Sequence, residues 1–321
     1  MESASAGSTR SIGPRRLRDT CRMVAAAIRL LLCAGLGLLA ALLSCGVRYG
    51  WPAAVWAGLC LLVLGHPALL AVEFALAWRA NRRVGGPRDP LGSTFRAWIG
   101  EWGASTIAFG WRMAWRSNAF ADHLPNGARG LRGVVLVHGY LCNRGVWNAW
   151  LARLTELGRA FVAVDLEPVF GDIDGHADAI GRAVRRVEEV TGLAPIVVAH
   201  SMGGVAVRAW LRTQHRPAAR VARVITIASP HHGTRLARLA TSRSARQMRD
   251  DGPWLMGLGA AMTAELAATF TCWWSACDQI VYPAPTAELR GGEGRRIRGV
   301  AHLALIGREE IWSELRRRLD R

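Results

Sequence analysis

Two long apolar runs dominate the first quarter of the chain. Residues 30–47 and residues 49–72 contain no charged side chain, and each run is long enough to cross the hydrocarbon core of a bilayer as a helix. The pattern predicts two transmembrane helices within residues 23–80. The small, polar and arginine-bearing residues 1–22 that precede them predict a disordered basic tail.

An amphipathic segment with four tryptophans follows the apolar runs. Within residues 93–116, apolar and aromatic side chains recur at spacings of three and four, which is typical of a helix. A tryptophan face with arginines opposite it suits the headgroup region of a membrane. Packing of that face against the rest of the protein is the alternative. We assign residues 81–129 to this juxtamembrane amphipathic helix and a turn-rich linker.

From residue 130 to the C-terminus, strand-like and helix-like patterns alternate. Short runs rich in β-branched residues predict strands at 133–137, 161–164, 196–199, 224–228, 269–274 and 296–300. Apolar residues at helical spacing predict helices at 143–157, 180–190, 202–211 and 309–319. This alternation indicates an α/β fold, with a mostly parallel sheet flanked by helices, in one domain over residues 130–321.

Clear periodicity is lost between residues 235 and 266. Gly252-Pro253 in this stretch precedes an apolar patch, which consists of Trp254, Leu255, Met256 and Leu258. Because mobile segments often close over the substrate clefts of enzymes, we predict a lid over residues 235–266 that covers a lipid-binding cleft.

The formal charge of +17 comes from arginine alone, since the chain contains no lysine. The arginines are scattered and form no stripe, which argues against nucleic acid as a partner. Anionic membrane lipids are the favoured use of this charge, and simple solvated faces are the alternative.

The arginines next to the apolar runs bear on membrane topology. Several precede the first run and several follow the second, whereas only Arg48 lies between them. The positive-inside rule therefore predicts a helical hairpin, with everything after residue 78 on the cytoplasmic side. Export by a cleaved signal, or a lipoprotein anchor at Leu42-Leu43-Ser44-Cys45, is the alternative.

One serine lies at a sharp junction between a strand and a helix. The apolar strand ends at Ala199 and His200, Ser201 follows, and helical spacing begins at Met202. Small residues are needed two positions before and after such a serine, because strand and helix backbones pass closely there. Ala199 and Gly203 meet that need, so we interpret Ala199, His200 and Gly203 as a nucleophile elbow. A strand-turn-helix with a capping serine is the alternative.

A nucleophilic serine requires a base and an acid that orients the base. Of the four histidines after Ser201, only His302 follows the last predicted strand closely enough to swing over the serine. Asp278 follows the preceding strand, where a carboxylate reaches the crevice at the C-terminal edge of a parallel sheet. A role in turn formation alone is the alternative for Asp278.

An oxyanion hole requires backbone N–H groups that point at the reacting carbonyl. The best candidates are the N–H of Met202, just after the serine, and the N–H of Tyr140, just after the strand that ends in His138-Gly139. The seven cysteines contain no C-x₂-C pair, and the sequence predicts neither a metal nor any other cofactor.

The motifs around these residues resemble those of bacterial lipases of the α/β-hydrolase superfamily. In chain order they are VLVHGY (135–140), AHSMGG (199–204), ASPHHGT (228–234), SACDQIVYP (275–283) and GVAHLAL (299–305). The resemblance implies an α/β-hydrolase fold and a Ser-His-Asp triad, and an alanine at the first elbow position is a known variant among such lipases. Residues 1–129 lie outside the resemblance, so the export route and any calcium site of secreted lipases are not carried over to this chain.

We therefore expect a serine hydrolase of the bacterial inner membrane that cleaves carboxylic esters, with lipid esters favoured, through an acyl-enzyme. An acyltransferase that uses the same triad is one alternative. A catalytically inactive membrane scaffold is another.

Overall fold

The computed structural model describes residues 22–320. The predicted basic tail lies outside the described residues except for Arg22, with which the first helix begins. The β-strands are β1 Val134–Val137, β2 Phe161–Val164, β3 Ile196–His200, β4 Arg223–Ile227, β5 Phe270–Trp274 and β6 Glu293–Arg296. The α-helices are α1 Arg22–Arg48, α2 Pro52–Arg83, α3 Leu91–Ile107, α4 Met113–Trp115, α5 Asn148–Glu156, α6 Ala177–Thr191, α7 Met202–Arg212, α8 Arg243–Gln247, α9 Pro253–Ala260, α10 Ala264–Ala268 and α11 Glu309–Leu319.

The strands form one sheet in the order β2-β1-β3-β4-β5-β6, and every neighbouring pair is parallel. Parallel strands are covered on both faces, which explains why the β1 sequence is a continuous apolar run. Val135 and Val137 share one core with apolar residues of α6 and α7. Val134 and Leu136 share the other with residues of α5 and α11. The structure thus confirms the predicted parallel sheet flanked by helices.

The prediction for the last strand was wrong by three residues. The strand is β6, which pairs with β5 from Thr271 opposite Glu293 onward, and not the apolar stretch 296–300. As an edge strand, β6 carries charged side chains that are exposed or half-buried. The apolar Ile297 and Val300 instead enter the core from the loop that follows.

Helices α1 and α2 are both long and apolar enough to cross a membrane, by length and composition. They pack against each other across a short turn. Helix α2 contains 32 residues. At about 1.5 Å per residue, its length exceeds the ~30 Å hydrocarbon thickness of a bilayer. The second half of α2 buries Phe74, Ala77 and Asn81, among others, against the α/β domain.

The amphipathic segment is helical as predicted, and one member of its aromatic face, Trp98, packs against a cluster that includes Cys277 and Ala301 of the α/β domain. Phe95, Trp102, Trp111 and Trp115 are all exposed. The face of α3 that turns inward is small and polar, with Ala97, Glu101 and Ser105 buried. Most of the aromatic side chains of this segment are therefore uncovered.

The segment 235–266, for which a lid is predicted, contains short helices. Leu255 and Leu258 are buried in the main core, and only Met256 of the central patch is strongly exposed. Helix α9 turns these two leucines towards α7, and the lid over residues 235–266 stays a prediction.

Candidate active site

The backbone at Ser201 has the strained geometry that a nucleophile elbow requires. Its φ of 55° and ψ of −129° lie in a region that residues with a Cβ rarely adopt. A hydrogen bond to the neighbouring strand stabilises this conformation, because the Ser201 N–H donates to the carbonyl oxygen of Ile227 at 2.8 Å. A Cβ at Gly203 would lie 2.6 Å from the carbonyl oxygens of Val137 and His138. Only glycine fits there, because α7 starts directly against the β1 strand.

His302 and Asp278 form a buried pair at the same edge of the sheet. The Nδ1 atom of His302 lies 2.9 Å from Asp278 Oδ2 and 3.1 Å from Oδ1. Asp278 Oδ1 also accepts hydrogen bonds from the N–H groups of Ile280 and Val281, each at 2.8 Å. The carboxylate therefore shapes its own turn and also faces the imidazole, which combines the two roles considered for it.

The acidic surroundings of His302 raise its pKa above the usual 6.5. Burial acts to lower this pKa, but the charge and hydrogen bond of Asp278, together with the charges of Glu101 and Glu73, outweigh burial. The same carboxylates would stabilise an imidazolium formed during a proton transfer.

Ser201 and His302 line the same cavity. Within the described part of the chain, no hydrogen bond joins the Ser201 hydroxyl to the His302 ring. Such contacts in enzymes without substrate are often long and tighten only when substrate binds. The structure thus places Ser201, His302 and Asp278 at one edge of the sheet and joins only the last two directly.

His200, which precedes Ser201, packs against the ring of His302. The two ring centroids are 4.6 Å apart, and His200 Nε2 donates to the carbonyl oxygen of His302 at 3.3 Å. Burial, helped by the charge of His302, holds the pKa of His200 well below its usual range. His200 therefore stays neutral and supports the loop that carries His302.

The loop after β1 brings Tyr140 next to the elbow. A Cβ on Gly139 would lie 2.8 Å from the Ser201 Cβ, so the loop backbone passes directly beside the serine. Met202 is the first residue of α7, where N–H groups lack partners within the helix. The N–H groups of Tyr140 and Met202 have no acceptor among the described residues, and both flank Ser201.

A cavity of about 490 Å³ extends from Ser201 and His302. Much of its wall is apolar and comes from five parts of the chain, with Leu69, Leu70, Phe109, Leu141, Leu236, Met248, Ile280 and Val281 among the lining residues. His66, Leu69, Leu70 and Glu73 of α2 form one side, and Glu101 and Ser105 of α3 continue it. Sequence reasoning missed these residues because they lie outside the five motifs.

The remaining histidines of the motifs pack the loops. His138 Nε2 accepts from the N–H of Leu166 at 3.0 Å, and the His231 carbonyl oxygen accepts from the buried guanidinium of Arg208 at 2.7 Å. Among residues 22–320, no group of three or more His, Cys, Asp or Glu side chains is placed to hold a metal ion.

Comparison with known proteins agrees with this architecture. Residues 134–319 match the model of a family described as alpha/beta hydrolase. The structure of the mature Bacillus licheniformis lipase BlEst2 is 17% identical with a TM-score of 0.52, covering 59% of this chain and 92% of that one. Aspergillus fumigatus lipase B is 20% identical with a TM-score of 0.51, covering 60% of this chain and 54% of that one. These likenesses concern the fold, and a comparison with curated proteins gives no match.

Proposed function

The chain belongs to the alpha/beta hydrolase family, and on this premise we propose that it cleaves carboxylic esters with Ser201 as nucleophile, His302 as base and Asp278 as orienting acid. The observation that carries the proposal is the buried His302–Asp278 pair, 2.9 Å apart, at the cavity that the strained Ser201 also lines.

Each group has a defined part in the reaction. His302 takes the proton of the Ser201 hydroxyl as its oxygen attacks the ester carbonyl, and the Tyr140 and Met202 N–H groups stabilise the resulting oxyanion. The protonated His302 then gives its proton to the departing alcohol, which leaves an acyl-enzyme. Water, deprotonated by His302, attacks the acyl carbonyl and releases the acid. No cofactor is required for these steps.

The cavity wall favours lipid esters over small soluble ones. Leu69 and Leu70 come from a helix whose other leucines suit a bilayer, and Leu69 is 59% exposed while it also lines the cavity. An acyl chain could therefore pass from the membrane into the cavity beside Leu69. We propose that the protein is anchored in a bacterial inner membrane by α1 and α2, with its α/β domain on the cytoplasmic side, and that membrane lipids, not nucleic acid, are its partners.

A fluorophosphonate probe tests the nucleophile, because it labels only activated serines. The full chain in detergent is expected to be labelled and to hydrolyse a long-chain ester, and Ser201→Ala is expected to lose both. Ser229→Ala is the matched control, since its buried hydroxyl lies beside α7 without a hydrogen-bond partner among the described residues. Its labelling should equal that of the unmodified chain.

The same preparation separates the competing functions. An unlabelled but folded protein would contradict the proposal and favour a scaffold. Labelling followed by transfer of the acyl group to an added alcohol, with little free acid, would indicate an acyltransferase. Release of the free acid as the main product is the expected result.

A further inference from the structure

Glu101 is a buried carboxylate that belongs to α3 and lies outside the residues that match the family model. It is only 1% exposed. Burial of a carboxylate costs free energy unless hydrogen-bond donors surround it. The donors around Glu101 therefore indicate its role.

Those partners directly follow the proposed base and acid in the chain. Glu101 accepts hydrogen bonds from the N–H groups of Leu303 and Ala304, each at 3.0 Å. Its Oε1 also accepts from Gln279 Nε2 at 2.9 Å. Gln279 in turn accepts at Oε1 from the N–H of His302 at 3.3 Å. One side chain therefore ties the loop after His302 to the turn after Asp278.

We propose that Glu101 is a positioning residue for His302, supplied to the catalytic machinery by the N-terminal helices. The kinetic consequences of this inference rest on the proposed function. The contacts of Glu101 do not depend on it. Two neighbouring backbone N–H groups fixed by one carboxylate limit how far the imidazole can swing, and an error of about 1 Å at a catalytic group can cost a hundredfold in rate.

The charge of Glu101 acts on His302 as well. The titratable groups that face the His302 ring are Asp278, Glu101 and Glu73, all of which favour its protonated form, and His200, which disfavours it when charged. Removal of the Glu101 charge should lower the pKa of His302. His302 would then stay in its basic form to a lower pH.

Glu101→Gln tests this proposal. The amide keeps one acceptor oxygen, but its NH₂ group faces N–H donors and the charge is lost. We expect kcat to fall about tenfold to a hundredfold, with a smaller change in KM. The acidic limb of the kcat/KM profile should move to lower pH.

Glu314→Gln is the matched control. Glu314 is also a buried carboxylate, which accepts from Thr271 Oγ1 at 2.9 Å and Trp273 Nε1 at 2.7 Å, but it does not line the cavity. Both substitutions should lower the melting temperature. Only Glu101→Gln should change kcat and the acidic limb.

Histidine NMR titration of the full chain in detergent measures the pKa of His302 without any turnover. His302→Asn identifies the His302 signal, and Glu101→Gln should lower its pKa while Glu314→Gln leaves it in place. An unchanged His302 pKa, with kcat lowered no more than in Glu314→Gln, would overturn the proposal even if the ester hydrolase assignment holds. A lowered His302 pKa in a chain that fails to hydrolyse esters would support the positioning role and reject the assignment.

Discussion

At the scale of single residues, the acid of the proposed triad has a second task. Asp278 Oδ1 accepts two backbone N–H groups of its own turn while both oxygens face His302. Its carboxylate therefore fixes the turn and the imidazole together. Replacement of this residue should disturb orientation and charge at once.

Asp278→Asn should lower kcat by about a thousandfold to ten-thousandfold, because an amide NH₂ cannot accept the Nδ1 proton of His302. Since the charge of Asp278 raises the pKa of His302, the acidic limb of the remaining activity should shift to lower pH. The measurement is kcat/KM across pH. Asp174→Asn is the control, because Asp174 bonds Trp254 and Arg212 away from the cavity. An acidic limb that stays in place would contradict the proposed pairing.

The residues that sequence reasoning could find are those in contiguous motifs. Ser201, Asp278 and His302 each follow a predicted strand, so chain order and sheet geometry were enough to propose them as candidates. Glu101 could not be found this way. Its partners lie about 200 positions later in the chain, and a glutamate on an amphipathic helix is normally solvated.

At the scale of elements, the start of α7 passes very close to the end of β1. The periodicity of the chain was enough to predict the parallel sheet and its central strands, because those strands are apolar on both faces. It was misleading for β6, since an edge strand with the sequence EGRR has no apolar signal. The elbow between β3 and α7 was predictable because its small residues serve a steric need.

Gly203→Ala should destabilise the fold by about 2–3 kcal/mol or more, because its Cβ would lie 2.6 Å from two backbone carbonyl oxygens. Thermal unfolding of the full chain and fluorophosphonate labelling measure the effect. Gly257→Ala, in α9, meets nothing within 4 Å and should be neutral or stabilising by up to ~1 kcal/mol. Equal melting temperatures for the two variants would argue against the close contact at the elbow.

At the scale of the whole molecule, helices α2 and α3 and the α/β domain line one cavity. Leu69 reaches both the cavity and the outer surface of α2. The sequence suggested an anchor followed by a separate catalytic domain, because the two regions differ so strongly in composition. Contacts between them depend on side chains distant in the chain, which no local pattern reveals.

Leu69→Gln should raise KM for a long-chain ester presented in vesicles by about fivefold to tenfold, equivalent to the loss of roughly one buried leucine contact. Leu62→Gln is the control, because Leu62 is comparably exposed on α2 without lining the cavity. Initial rates of the reconstituted full chain at several lipid concentrations provide the measurement. The same KM for both variants would mean that the acyl chain enters elsewhere.

Residues that precede the family match at 134–319 hold several loops of the α/β domain. Asn81 accepts from the Ala284 N–H at 2.7 Å and donates to the Ala276 carbonyl oxygen at 3.3 Å, and Asp89 accepts from the Gly299 N–H at 2.8 Å. A protein excised at residue 130 would keep all five lipase-like motifs and lose these supports, together with Glu101. Such a fragment would leave these backbone N–H groups without their acceptors and would lose the proposed positioning of His302, so production of the α/β domain should retain α3 and the second half of α2.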